Sequence, residues 1–146
     1  MLDEDNKWYC NSCKDHVQAE KSLEIYKIPR IMIISLKRFK TSKARYGMGR
    51  ASTKVDTMVE FSLQGLDMSQ FVLSGEQKKS TNLIYDCFAV SNHFGNVGFG
   101  HYTAYAENPI TKKWYDFDDS HCGEINPDRI VTTAAYNLFF RRRDET

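Results

Sequence analysis

His101 and Asp118 have the side chains of a general base and of the carboxylate that orients one, and the segment between them reads as a β-hairpin. Asn108-Pro109-Ile110-Thr111 supplies the turn residues. A turn centred between Pro109 and Ile110 pairs Tyr105 with Trp114, Thr103 with Asp116 and His101 with Asp118. Directly opposed residues of antiparallel strands share a face, with Cβ atoms roughly 4.5 to 5.5 Å apart, which brings an imidazole and a carboxylate within hydrogen-bonding reach. A one-residue bulge would present Asp119 instead. Such a pair ordinarily serves a nucleophile, and the chain offers no obvious one. The alternation predicts that Tyr102, Ala104 and Ala106 share an apolar, core-facing side with Tyr115 and Phe117. His101, Thr103, Asp116 and Asp118 then fall on a wet side, where a plain cross-strand salt link competes with the catalytic reading. The glycine-rich stretch His93 to Gly100 favours catalysis, because glycines at the mouth of a site let backbone move or a ligand approach closely.

The elements that must hold this pair are mostly strands. Arg30 to Phe39 is the clearest, a β-branched run after Pro29 that predicts a central strand. Lys40 to Thr57 is rich in Thr, Ser, Lys, Gly and Arg and reads as an exposed loop. Met58 to Leu63 reads as a short strand, Leu66 to Leu73 as a turn or brief helix, Ser74 to Asn82 as polar connection, and Leu83 to Ser91 as a strand. His93 to Gly100 is a loop ahead of the hairpin. Asn126-Pro127-Asp128 opens a short helix with Asn126 as N-cap, and Tyr136 to Arg141 forms the last strand. The class is α+β, strand-dominated and antiparallel, with no internal repeat.

Composition narrows the function. The 146 residues have the length of one domain, and 20 Lys and Arg against 19 Asp and Glu leave a net charge of +1. That balance gives no general reason to expect nucleic acid or an anionic membrane. The basic residues Lys37, Arg38, Lys40, Lys43, Arg45 and Arg50, with Arg141 to Arg143, read as a solvated loop and strand ends. No apolar run approaches the ~20 residues of a membrane span, and the start lacks signal-peptide character. The expected setting is intracellular, cytoplasm or nucleus. Cys10, Cys13, Cys87 and Cys122 are expected to be free thiols. Cys10-Asn11-Ser12-Cys13 is a knuckle that supplies two of the four ligands of a structural zinc site. Two reduced surface thiols is the competing reading.

Taken together, the spaced residues resemble a known family. Tyr85-x-Cys87-x-Ala89-Val90-x-x-His93-x-Gly95, then Gly100-His101-Tyr102, is similar to the histidine box of the ubiquitin-specific proteases, papain-like cysteine deubiquitinases. Trp8-Tyr9-Cys10-x-x-Cys13-Lys14-x-His16, Ile28-Pro29, Leu36-Lys37-Arg38-Phe39, Val59-Glu60-Phe61, Trp114-Tyr115-x-Phe117-Asp118-Asp119-Ser120 and Ala135-Tyr136-x-Leu138-Phe139-Phe140-Arg141-Arg142 agree with it in family order.

The resemblance implies fingers over 8–27, with the zinc knuckle, and palm over 28–146, the C-terminal part of a catalytic domain. It implies His101 as general base, Asp118 as its orienting residue and Asp119 as a supporting neighbour. Catalysis would need no cofactor. Gly98, Phe99 and Gly100 would belong to a blocking loop that moves for ubiquitin. Tyr102 would line the channel for the ubiquitin tail, although by pleat it fits a core equally well. The family's nucleophile lies in a Gly-Asn-Thr-Cys-like box that this chain does not contain, and no cysteine here takes its place. Cys10 and Cys13 become a zinc half-site, with the second knuckle missing and His16 a poor third ligand.

The expectation is therefore a deubiquitinase segment, inactive alone, whose partners are ubiquitin, ubiquitinated proteins and the missing N-terminal part of its domain. Apolar sheet faces left bare predict a homo-oligomer of the chain. A non-catalytic ubiquitin-binding scaffold of the same fold is the main alternative, and a metal-dependent nucleic-acid module is a weaker one.

Overall fold

The structure is a computed structural model that describes residues 1–43, 50–73 and 82–143. Among these the chain forms eleven strands: β1 (Trp8–Cys10), β2 (Asp15–Val17), β3 (Ile31–Ser35), β4 (Phe39–Lys43), β5 (Arg50–Lys54), β6 (Leu66–Asp67), β7 (Ile84–Gly95), β8 (Gly100–Glu107), β9 (Trp114–Asp118), β10 (His121–Ile125) and β11 (Ala135–Arg142). The helical elements are two single turns of 3-10 helix, Glu4–Asn6 and Pro127–Arg129. Asn126 caps the second by accepting the Asp128 N–H at 3.0 Å, and Pro127 occupies the first turn, where its missing N–H costs nothing. No helix is long and apolar enough to cross a membrane among the described residues.

One antiparallel sheet dominates, in the order β10-β9-β8-β7-β11-β3, with β6 also pairing β7. β1 and β2 form a separate hairpin, as do β4 and β5. The main core lies against one side of the large sheet, where Tyr85, Val90, Trp114, Ile130, Leu138 and Phe140 are almost fully buried. Buried Tyr85 keeps its hydroxyl satisfied by donating it to the Pro29 carbonyl.

Several sequence expectations need correction. β3 is a terminal strand of the sheet, with Ile31 and Ile33 exposed, since only β11 hydrogen-bonds to it. Its β-branched run reports strand propensity, which is the same at an edge as in a centre. Residues 39–43 and 50–54, expected within a loop, instead pair as β4 and β5, and residues 44–49 at their tip lie outside the described residues. Met58 to Leu63 makes no strand. It meets β7 through one backbone bond, Cys87 N–H to Leu63 carbonyl at 2.8 Å, and otherwise packs Phe61 and Leu63 on the core. Within Leu66 to Leu73, residues 66–67 are a two-residue strand, and the expected turn follows it, closed by the Phe71 N–H on the Met68 carbonyl at 3.0 Å. Most of Ser74 to Asn82 (74–81) lies outside the described residues.

Arg38 is no surface charge. The inward alternation of Met32, Ile34 and Leu36 continues to it, leaving Arg38 3% exposed. It donates to the carbonyls of Ala135 (2.6 Å), Val55 (2.9 Å) and Thr57 (2.9 Å), tying the segment after β5 to β11. That signal was present in the period-2 pattern and is masked by the residue's charge.

Candidate active site

The β7–β8 hairpin carries His101. β7 runs through His93 to Gly95, so the connecting loop is only Asn96 to Phe99, shorter than the glycine pattern suggests. Gly95 has φ +94°, and a Cβ there would lie 2.5 Å from the Phe99 carbonyl oxygen, so only glycine lets the chain turn back this tightly. The Asn96 N–H closes the loop on that same carbonyl at 2.8 Å. Phe99 stands 91% exposed at its tip.

β9 ends on Asp118, and Asp119 enters the left-handed region at φ 49° to start a two-residue turn into His121. Asp accepts that conformation better than most residues do. The turn leaves both carboxylates beside the imidazole: ligating atoms of His101, Asp118 and Asp119 all lie within 4.8 Å of one another. His101 Nε2 shares a 2.5 Å hydrogen bond with Asp118 Oδ1.

The β8–β9 register differs from the expected one. Tyr105 faces Asp116 and Glu107 faces Trp114, a slip of two residues, because the connection is the six-residue loop Asn108–Lys113. Asn108 Oδ1 accepts the N–H groups of Ile110 and Thr111, and Lys112 takes a left-handed φ of 58°. A slip of two preserves the face, so His101 and Asp118 still meet, diagonally instead of directly. The faces themselves are reversed from expectation. Thr103 and Trp114 are buried on the side of His101 and Asp118, while Tyr102 and Phe117 are exposed on the other. The strands flanking β8 explain this: Val90 opposes Tyr105 and Asn92 opposes Thr103, and the core gathers on that side. Tyr102 packs instead on His93 and Tyr136.

His101 is half exposed, and its hydrogen bond to Asp118 raises it above the ordinary imidazole range. The charges of Asp118 and Asp119 add to this and partial desolvation opposes it. With Nε2 engaged by the carboxylate, Nδ1 is the ring nitrogen left to exchange a proton.

The cysteines fall apart from the pair. Cys10 and Cys13 share the β1–β2 turn, where the Cys13 N–H donates to Cys10 Sγ at 3.5 Å and, with the Cys13 side chain and the Ser12 N–H, holds Cys10 below the ordinary thiol range. Those bonds suit the thiolate of a metal ligand. His16 is engaged edge-on with Tyr9 at 5.2 Å, and among the described residues no third ligand joins the two sulfurs. Cys87 is buried in β7, where desolvation pushes its thiol up to about 11. Cys122 opposes Phe117 across β9–β10, and so sits on the side of the sheet away from Asp118.

The antiparallel sheet thus sets a carboxylate-bonded histidine beside the short loop that Gly95 opens. Comparison with known proteins gives the class. The family model "Ubiquitin carboxyl-terminal hydrolase" matches residues 3–140. Ubiquitin carboxyl-terminal hydrolase 4 of Pongo abelii is 47% identical over 144 residues, covering 99% of this chain and 14% of its own length. Ubiquitin carboxyl-terminal hydrolase 10 of Arabidopsis thaliana is 46% identical over 146 residues, covering 99% and 15%. The SAGA DUB module Ubp8/Sgf11/Sus1/Sgf73 bound to ubiquitin aldehyde contains a chain that superposes with a TM-score of 0.78 at 27% identity, covering 98% of this chain and 31% of that one. The chain belongs to the ubiquitin carboxyl-terminal hydrolase family, the ubiquitin-specific thiol proteases, and spans about a seventh of the curated relatives it matches. Catalysis in that family needs no cofactor.

Proposed function

We propose that this chain supplies the acid–base half of a Cys-His-Asp triad that hydrolyses the peptide or isopeptide bond at the C-terminus of ubiquitin. The observation that carries the reading is the 2.5 Å bond between His101 Nε2 and Asp118 Oδ1 in a chain of this family. His101 Nδ1 takes the proton of a cysteine thiol, the thiolate attacks the scissile carbonyl, and the imidazolium passes the proton to the leaving amine. Water, deprotonated by the same nitrogen, then releases the acyl group. Asp118 holds the tautomer and Asp119 adds negative potential beside the imidazolium.

The nucleophile, in this reading, comes from polypeptide outside these 146 residues. Supporting it are the burial of Cys87, the placement of Cys122 on the far side of the sheet, and the separation of Cys10 and Cys13 in another hairpin. Residues 8–27 would be fingers and 28–146 palm. Gly98 and Phe99 in the loop, with Gly100 at the start of β8, would yield to the ubiquitin tail, and Tyr102, 55% exposed, remains available to line its path. Cys10 and Cys13 would hold half of a structural zinc site, completed by two ligands from the longer protein. The free thiols suit an intracellular protein, cytoplasmic or nuclear.

The test is a longer polypeptide that includes the cysteine box, treated with ubiquitin carrying a C-terminal electrophile. It should label on that cysteine, and His101→Gln should cut turnover about 10²- to 10⁴-fold. The 146-residue chain alone should not label. Labelling of Cys122 in the short chain, or full turnover by His101→Gln, would overturn the assignment. Binding of ubiquitin with no labelling would favour a non-catalytic scaffold. Zinc carried by the longer protein should fall when Cys10 and Cys13 are changed to Ala, as measured by elemental analysis.

A further inference from the structure

A second histidine lies directly behind the first. His93, 3% exposed, pairs with Tyr102 in the β7–β8 register, so its ring is on the side of the hairpin opposite His101. That ring lies across the Cα of Gly100, the residue before His101: a Cβ built on Gly100 would fall 2.1 Å from His93 Nε2 and 2.8 Å from Cε1. Three aromatic rings surround it, Tyr102 at 4.7 Å, Phe39 at 5.2 Å and Tyr136 at 6.1 Å between centroids. The backbone of the same residue is held from two further directions. Its N–H donates to the Ala134 carbonyl at 2.8 Å, and its carbonyl accepts the Lys54 ammonium at 2.6 Å. The Lys54 side chain is itself only 8% exposed and also pairs with Asp56 at 3.1 Å. The Asp56 carboxylate and the His93 carbonyl together compensate the buried ammonium and fix its place. His93 Nδ1 is buried and has no hydrogen-bond partner among the described residues.

We propose that His93 is a positioning residue: its ring, caged by the three aromatic side chains while Lys54 holds its backbone carbonyl, fixes the backbone at Gly100 and thereby sets where His101 presents Nδ1. The proposal rests on the reading of His101 as the base. Gly100 is required because any side chain there would occupy the space of the imidazole. Phe39 and Lys54 both come from the β4–β5 hairpin, so that small sheet becomes a brace for the catalytic hairpin. Burial, together with the Lys54 ammonium, holds His93 below the ordinary imidazole range, with Asp56 opposing, and the ring sits uncharged in its cage at neutral pH. Tyr102 and Tyr136 are the other titratable groups that face it.

The experiment follows the His101 imidazole by ¹H–¹⁵N correlation through a pH titration of the chain. In the unchanged chain, His101 should be protonated on Nε2 when neutral and titrate above the ordinary value. Gly100→Ala, which displaces the His93 ring, and Lys54→Met, which removes the clamp but keeps the bulk, should each move the His101 midpoint down towards that value. In the longer polypeptide they should lower kcat by about tenfold to a hundredfold with KM little changed, the pattern of a misplaced catalytic group. His93→Phe should restore most of the function that His93→Leu loses. If Gly100→Ala does not fold, Lys54→Met decides alone. Variants that fold and leave both the His101 midpoint and kcat as in the unchanged chain would overturn the proposal. Asp118→Asn separates the two readings: if it fails to move the His101 midpoint, the base assignment is wrong, and if it moves the midpoint while Lys54→Met does not, only the positioning role falls.

Discussion

At the scale of single residues, the imidazole of His101 is defined by what Asp118 does to it. The hydrogen bond to the carboxylate is the first cause of the raised proton affinity, so Asp118→Asn should lower the His101 midpoint towards about 6.5, the unperturbed value, in an NMR titration. The sign of the linked stability follows from that shift. A base whose pKa is higher folded than unfolded contributes stability that is complete below the unfolded value and is lost as pH rises through the folded one. Denaturation of the unchanged chain and of Asp118→Asn should therefore differ most on the acidic side of the His101 titration and converge above it. Asp86 behaves in the opposite sense. Arg143 donates to both its oxygens at 2.8 Å and holds it below the usual carboxylate range, a contribution present above about 3.9 and lost as pH falls through the lowered value.

At the scale of elements, the hairpin between His93 and Tyr102 depends on Gly95. Its φ of +94° excludes an unstrained side chain, and the Phe99 carbonyl occupies the place of a Cβ. Gly95→Ala should cost about 1–3 kcal/mol in chemical denaturation and disturb the His101 resonances as well, because the same turn sets the start of β8. The meeting of His101 with Asp118 was legible in the sequence because the strand period is two. A count of loop residues wrong by two moves the contact one diagonal step but leaves both side chains on the same face. What the sequence concealed was set by non-local choices. Which face of β8 is buried follows from its pairing with β7, and the terminal position of β3 follows from β11 having β7 on its other side. Neither is written in the alternation of any one strand. The brace formed by Phe39 and Lys54 was hidden for the same reason: a polar, loop-like composition folds as a hairpin because its two ends are anchored on the His93 ring and carbonyl.

At the scale of the whole molecule, the same arrangement leaves the β3 end of the sheet open among the described residues. β3 pairs with β11 on one side only, and its residues Ile31 and Ile33 are 42% and 58% exposed. Edge strands of soluble proteins are commonly protected by charge, proline or a bulge, and Ile31-Met32-Ile33-Ile34-Ser35 carries none of these. Its free N–H and C=O groups form a template for another strand, and the exposed isoleucines add apolar area to any such contact. The 146-residue chain should therefore self-associate through β3, reversibly and with concentration. Sedimentation velocity should show a dimer that Ile33→Lys returns towards monomer, since a buried lysine at the joint opposes pairing while an exposed one on a free edge costs little. His101 lies several strands away, across β11 and β7, so its titration should be the same in Ile33→Lys as in the unchanged chain. A monomer at every concentration would show that the edge is protected, and a dimer indifferent to Ile33→Lys would move the contact to another part of the sheet.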